Sequence, residues 1–184
     1  MNEILFDRTE GYERVNNPHG YAEYDATPYL VLEKMILEYP FVEDDCFVDF
    51  GSGKGRVICF AAEHGCHNVI GIEYNEGLYL ESLENIRNFA LMDCINVYNQ
   101  KAETYIEYEN VNKCFFYNPF YLKYFIKVYK NIVQYSKIRN VLFFLYDAAI
   151  EYRRFLATQK NVKLETCIRI NDICGKLWVY SVNR

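Results

Sequence analysis

Short apolar runs alternate along the chain with segments whose apolar residues recur at helical spacing, and this alternation predicts an α/β fold. After the first run, Val57, Phe60 and Ala61 have the i, i+3, i+4 spacing of an amphipathic helix. Two β-rich runs at 162–170 and 177–182 close the chain, and their short connection requires antiparallel pairing. The other predicted strands are 46–50, 68–73, 95–98, 114–117 and 141–145.

The residues before the first strand divide into two parts. Residues 1–26 contain glycine, asparagine and proline and are predicted to be irregular. Thr27 and Pro28 then predict a helix start, with threonine as the N-cap and proline at the first helical position, and Pro40 ends that helix.

A glycine-rich turn, residues 51–55, joins the first strand to the first helix of the core. A phosphate-binding loop is excluded because Lys54 is followed by Gly55 rather than by serine or threonine. The dinucleotide fingerprint is G-x-G-x-x-G, whereas this turn reads G-x-G-x-G with Asp49 two residues upstream. A carboxylate there suits a ligand with a cationic amino group better than a pyrophosphate. The D-x-G-x-G-x-G arrangement resembles motif I of the class I S-adenosylmethionine (SAM) methyltransferases.

The second strand also ends in an acid, Glu73, about 20 residues after the glycine turn. A carboxylate at this strand tip can accept hydrogen bonds from both ribose hydroxyls of a nucleoside. The alternative is an acidic helix cap, because Asn75 and Glu76 open a helix directly afterwards. The resemblance assigns the following residues to the cofactor: Asp49, Gly51, Ser52, Gly53, Gly55, Glu73, Tyr74 and Asn118.

A third motif follows the fourth strand, where Asn118, Pro119 and Phe120 form a turn. Proline cannot extend a strand ladder, so Asn118 is presented at the strand tip. The sequence is similar to motif IV of methyltransferases that act on amino or amide nitrogens, although it has one proline where that motif has two. The resemblance implies that Asn118 is the catalytic residue holding the acceptor nitrogen; a turn without a catalytic role is the alternative.

The resemblance implies a three-layer Rossmann-like fold with a mostly parallel seven-stranded sheet, order 3-2-1-4-5-7-6, and a C-terminal antiparallel hairpin. It implies one domain over residues 1–184, with a helical lid at 1–44 and the core at 45–184. In the lid, the Y-x-x-T-P-Y element from Tyr24 to Tyr29 is similar to one in small bacterial methyltransferases that also carry GSGKGR and YNPF. Residues expected to contact the acceptor are Tyr24, Tyr29, Phe120 and Asp147, with capping and packing as the alternative roles.

Adenine recognition is left open by the sequence. Many class I methyltransferases place an acid just after the third strand, whereas Lys101 stands there in this chain. Gln100, Glu103 or the backbone alone remain as alternatives.

Charge and cysteine content narrow the partners. With 25 acidic and 20 basic residues the formal charge is −5, which disfavours nonspecific nucleic-acid binding and favours a small-molecule or protein acceptor. A local basic patch remains open at Arg153 and Arg154 or on the helix near Lys123. Seven cysteines without zinc-site spacing indicate reduced thiols, a cytoplasmic protein and no metal. No signal peptide or membrane span is apparent.

These features together predict a SAM-dependent methyltransferase with S-adenosylhomocysteine as the cofactor product. The alternatives are a non-catalytic SAM-binding or partner-binding module and, on the first strand and turn alone, a NAD-dependent oxidoreductase. The sequence does not identify the acceptor or the oligomeric state.

Overall fold

The computed structural model describes residue 20 and residues 24–171 and 175–184. Most of the predicted irregular segment 1–26 lies outside these residues, as does the middle of the connection at 171–175. The strands are β1 (Cys46–Phe50), β2 (Asn68–Glu73), β3 (Ile95–Asn99), β4 (Lys113–Phe116), β5 (Asn140–Tyr146), β6 (Val162–Arg169) and β7 (Lys176–Asn183). The helices are α1 (Tyr29–Glu38), α2 (Arg56–Glu63), α3 (Glu76–Asn88), α4 (Leu122–Tyr135) and α5 (Ile150–Ala157).

One seven-stranded sheet runs through the described part of the chain in the order β3-β2-β1-β4-β5-β7-β6, which confirms the predicted topology. The first five strands are parallel, whereas β7 pairs antiparallel with both β5 and β6. All five residues of β1 are buried because helices cover both faces of the sheet. The carboxyl ends of β1, β2, β4 and β5 therefore meet at one edge, where ligands bind in open α/β sheets.

Two apolar clusters pack on opposite faces of the sheet. Alternate residues of β1 enter each cluster: Val48 faces the cluster that contains α4 and α5, and Phe47 faces the one that contains α1, α2 and α3. This alternation is the period-2 pattern of a strand. The two clusters hold the strand tips in a fixed arrangement.

Helix α1 begins one residue later than predicted. Pro28 is its N-cap, and the Pro28 carbonyl accepts a hydrogen bond from the Val31 N–H at 3.0 Å. The prediction that Thr27 caps this helix is wrong, because Pro28 holds the N-cap position and no side chain caps the helix. Thr27 is buried one residue earlier, and its carbonyl accepts from Arg56 at 3.0 Å. In α3, by contrast, the Asn75 side chain accepts from the Leu78 N–H at 3.1 Å as a regular N-cap.

Candidate active site at the carboxyl edge of the sheet

The turn between β1 and α2 carries three glycines in the left-handed backbone region. The angle φ is 79° at Gly51, 53° at Gly53 and 90° at Gly55. A Cβ at Gly51 would lie 2.8 Å from the Pro119 Cβ, and one at Gly53 would lie 2.4 Å from the Tyr24 ring. The turn therefore requires glycine for both its backbone angles and its space. Tyr24 and Pro119 lie directly against it.

Glu73, at the tip of β2, holds this turn to the next loop. Its Oε2 accepts from the Gly53 N–H at 2.9 Å and its Oε1 from the Asn75 N–H at 2.8 Å. Burial raises the pKa of Glu73, and the backbone N–H groups of Asn75 and Gly53 oppose that rise. A carboxylate has about four lone-pair positions, more than these backbone donors use, so the group can also accept from a hydroxyl of a ligand.

Asp49, in β1, is a buried carboxylate that lacks a donor. Its residue is 3% exposed, and no described residue donates a hydrogen bond to its side chain. Burial raises the pKa of Asp49 well above its ordinary value, and the nearby charge of Glu73 raises it further. A buried carboxylate without a partner is costly, so the site fits a ligand that brings a cationic donor.

Two hydroxyls beside the turn are also buried without a partner in the described part of the chain, those of Tyr24 and Ser52. Burial raises the pKa of Tyr24 to about 12, with the positive charge of Arg56 acting against that rise. The Tyr24 ring lies over Gly53, with the Lys54 ammonium 5.5 Å from the ring centroid. These hydroxyls add hydrogen-bonding capacity next to Asp49.

The segment that carries Tyr24 is fastened to both sides of the site. The Tyr117 hydroxyl, just after β4, donates to Asp25 Oδ2 at 2.6 Å. The Arg56 guanidinium lies 5.0 Å from the ring centroid of Tyr29, and that ring also contacts Phe60 of α2. Tyr29 therefore packs on α2, whereas Tyr24 reaches the glycine turn.

The tips of β4 and β5 are joined through Asn118. Its Nδ2 donates to the Asp147 carbonyl at 2.5 Å, and its Oδ1 accepts from the Ala149 N–H at 2.7 Å. Asn118 and Asp147 both have φ of 43°, a left-handed conformation that asparagine and aspartate tolerate better than most residues. Asp147 is not the N-cap of α5, since Ala149 holds that position.

The structure thus brings together Asp49, the glycine turn, Glu73 and Tyr24, with Asn118 beside them through Pro119. Phe120 lies elsewhere: it is 6% exposed and belongs to the apolar cluster beneath α4. Sequence reasoning misses Tyr117, and also Asn99, whose amide donates to the carbonyls of Glu73 and Tyr74 at 3.0 and 3.2 Å. Neither has a sequence signal beyond its place at a strand end.

The sequence matches the family described as "Histone methylation protein DOT1" over residues 14–120. The chain belongs to this family. No curated protein sequence matches it. Among solved structures, an RNA methyltransferase from Salinibacter ruber in complex with S-adenosylhomocysteine is similar: 16% identity, TM-score 0.69, covering 87% of this chain and 95% of that one.

Two further structures have the same fold. An rRNA methylase from Streptococcus thermophilus shares 10% identity with a TM-score of 0.62, over 88% of this chain and 99% of that one. TrmK from M. capricolum, in complex with S-adenosylhomocysteine, shares 13% identity with a TM-score of 0.63, over 83% and 66% of the two chains. The prediction of a class I methyltransferase is confirmed by the family and the fold. The narrower group carrying GSGKGR and YNPF stays a prediction.

One expectation needs correction. The net charge predicts that nucleic acid is not a partner, but the RNA methyltransferase from Salinibacter ruber and the rRNA methylase from Streptococcus thermophilus have this fold. The exclusion is wrong because an overall charge says nothing of how charges are distributed on the surface.

No helix in the described part of the chain is long and apolar enough to span a membrane. The described residues also contain no cluster of three or more side chains able to hold a metal ion.

Proposed function

We propose that this protein binds SAM at the carboxyl edge of the sheet and transfers its methyl group to an acceptor nitrogen beside Asn118. The observation that carries the proposal is Asp49, a buried carboxylate beside a left-handed glycine turn, to which no described residue donates a hydrogen bond. SAM, when bound, supplies a methyl group on a positively charged sulfur. The chain's own residues bind, orient and shield the reactants.

Each residue has a role that its position supports. Asp49 accepts from the cationic amino group of the methionine part, and the lone pairs left on Glu73 accept from the ribose hydroxyls. Tyr24, whose hydroxyl has no hydrogen-bond partner among the described residues, lies over the glycine turn and excludes water. Alignment of two bound reactants accounts for up to about 7–11 kcal/mol of a reaction barrier.

Asn118 sets the position of the acceptor. Its amide joins the tips of β4 and β5, and its Oδ1 has a second lone pair beyond the one used by Ala149. The second lone pair accepts from the acceptor nitrogen, and the rigid link to Asp147 fixes its direction. A neutral amine or amide acceptor needs no dedicated general base.

A non-catalytic SAM-binding module is the second candidate. It is favoured by the same amide, because both polar groups of the Asn118 side chain already have partners within the chain. In that case Asn118 only shapes the edge of the sheet.

Calorimetric titration with S-adenosylhomocysteine, with NAD in parallel, tests the cofactor. We expect micromolar binding of S-adenosylhomocysteine, no binding of NAD, and loss of binding in Glu73→Gln. Glu84→Gln is the matched control, since it removes the same charge from an exposed position of α3. Binding of NAD alone, or unchanged affinity in Glu73→Gln, would refute the assignment.

Asn118→Ala separates the two candidate functions. For an enzyme, we expect methyl transfer to fall while the affinity for S-adenosylhomocysteine stays within a few-fold of wild type. Transfer of tritiated methyl groups to candidate acceptors is the readout. If wild type binds the cofactor and methylates neither nucleic acid, protein nor amine acceptors, the binding module is the better assignment.

A further inference from the structure

A cluster of two cations around the chain's one tryptophan lies on the β7–α5 face of the molecule. The guanidinium carbon of Arg153 is 4.5 Å from the ring centroid of Trp178, and the Lys176 Nζ is 5.8 Å from it. Trp178 is half-buried and Lys176 is exposed. We call Arg153, Lys176 and Trp178 the cation–indole patch.

The two cations of the patch have no ion-pair partner among the residues that the structure describes. The Arg153 Nε is also buried without a hydrogen-bond partner there. Cys167 pairs with Trp178 across the two strands. Burial raises the pKa of the Cys167 thiol, and the positive charges of Lys176 and Arg153 partly oppose that rise.

The patch adjoins the proposed acceptor position. Trp178 pairs with Leu145, two residues before Asp147 in the chain. The Asp147 N–H donates to the Lys176 carbonyl at 2.9 Å, and the Asp147 carbonyl accepts from Asn118. Arg153 lies on the helix that starts just after Ala149, the other partner of Asn118. A polymer bound along the patch therefore extends toward Asn118 at the tip of β4.

We propose that the cation–indole patch binds a single-stranded polynucleotide and delivers one of its bases to the acceptor position. An unpaired base stacks on the exposed part of the Arg153–Trp178 pair, and Lys176 contacts a phosphate. An acidic peptide would use the charges alone, whereas a planar guanidinium lying over an indole ring suits a base. The inference rests on the proposed function.

The single tryptophan makes the patch directly observable. Titration with a short single-stranded RNA, and with DNA of the same sequence, should quench the intrinsic fluorescence. For single strands, the slope of log K against log salt changes by about −0.7 for each phosphate neutralised. Lys176→Gln should therefore make the slope shallower by about 0.7. Lys160→Gln, at an exposed position preceding β6, should leave it unchanged.

A second measurement covers the stacking. With end-labelled RNA and anisotropy, Trp178→Leu should weaken binding about 5- to 150-fold, the range expected for losing one base–aromatic contact. Trp178→Phe keeps a ring in the same place, and its thermal unfolding shows whether the fold is kept. We expect it to recover most of the affinity.

Three outcomes would overturn the inference: no quenching by either polynucleotide, an unchanged salt slope in Lys176→Gln, or equal quenching by polyglutamate, which would assign the patch to an acidic protein segment. Titration of the same samples with S-adenosylhomocysteine separates this inference from the proposed function. Cofactor binding without polynucleotide binding refutes the patch alone. Absence of S-adenosylhomocysteine binding by the wild-type protein refutes the proposed function.

Discussion

Replacement of Asp49 by asparagine should abolish cofactor binding. Without cofactor, the variant should also gain stability relative to the wild-type protein as pH rises. Burial raises the folded-state pKa of Asp49 above its ordinary value of 3.8, with Glu73 adding to the rise. The folded state therefore holds this proton to a higher pH than the unfolded state does. Between the two pKa values wild type loses stability by about 1.4 kcal/mol per pH unit from this group. Below pH 3.8 the effect is absent.

Cofactor binding should show the opposite dependence. The cationic amino group pairs with the ionised carboxylate, so each binding event below the raised pKa releases about one proton. Affinity for S-adenosylhomocysteine should then rise up to about tenfold per pH unit until that pKa is reached. Calorimetry in two buffers of different ionisation enthalpy counts the protons, and urea unfolding across pH gives the stability.

The reasoning fails if wild type binds S-adenosylhomocysteine with no proton release, or if Asp49→Asn retains wild-type affinity. It also fails if the stability difference between the two proteins stays constant with pH. Glu73→Gln is the companion variant, because Glu73 has a raised pKa of its own but accepts from backbone N–H groups, including those of Gly53 and Asn75. Its smaller dependence on pH would distinguish the group that has donors from the one that lacks them.

Two other changes have clear expectations. Gly53→Ala should abolish S-adenosylhomocysteine binding in calorimetry and lower Tm, because the added Cβ would lie 2.4 Å from the Tyr24 ring. Gly65→Ala is the control: its φ is 94° but the space around it is open, so this variant should lower Tm without affecting binding. Asp45→Ala should cost about 3–5 kcal/mol in urea unfolding, because it leaves the buried Lys113 ammonium without its partner at 2.6 Å. Glu109→Ala, which breaks an exposed pair, should cost under about 1 kcal/mol, and equal losses would contradict the distinction.

The sheet order was predictable because the glycine turn and the two acids resemble motifs of the class I methyltransferases, a family whose sheet has this order. Strand ends were less predictable where a charged residue is buried. Lys113 begins β4, one residue before the predicted start, although lysine is an unusual residue for a buried strand. Its partners are Asp45, 68 residues away, and the Pro40 carbonyl, and nothing local in the sequence indicates them.

The residues of the candidate site likewise divide into those that a local sequence pattern predicts and those that it does not. Asp49 and Glu73 have a fixed spacing from the glycine turn, and the structure places both beside it. Phe120 was expected to face the acceptor, but it enters the core, where its carbonyl accepts from the Tyr152 hydroxyl. The link from Tyr117 to Asp25 spans 92 residues. Contacts of that kind depend on the folded arrangement of the segments and have no local pattern.

The net charge of the whole chain is a poor guide to the partners that its surface can bind. A formal charge of −5 includes 20 basic residues, and their effect depends on where folding places them. Arg153 comes from helix α5 and Lys176 from strand β7, and folding places both at the Trp178 ring. In the sequence the cationic neighbour of Arg153 is Arg154, whereas the cation that shares the Trp178 ring with it is Lys176, 23 positions further along the chain. An acidic protein can therefore present a local pair of cations near the carboxyl edge of its sheet, and only the packing of α5 on β7 makes that pair apparent.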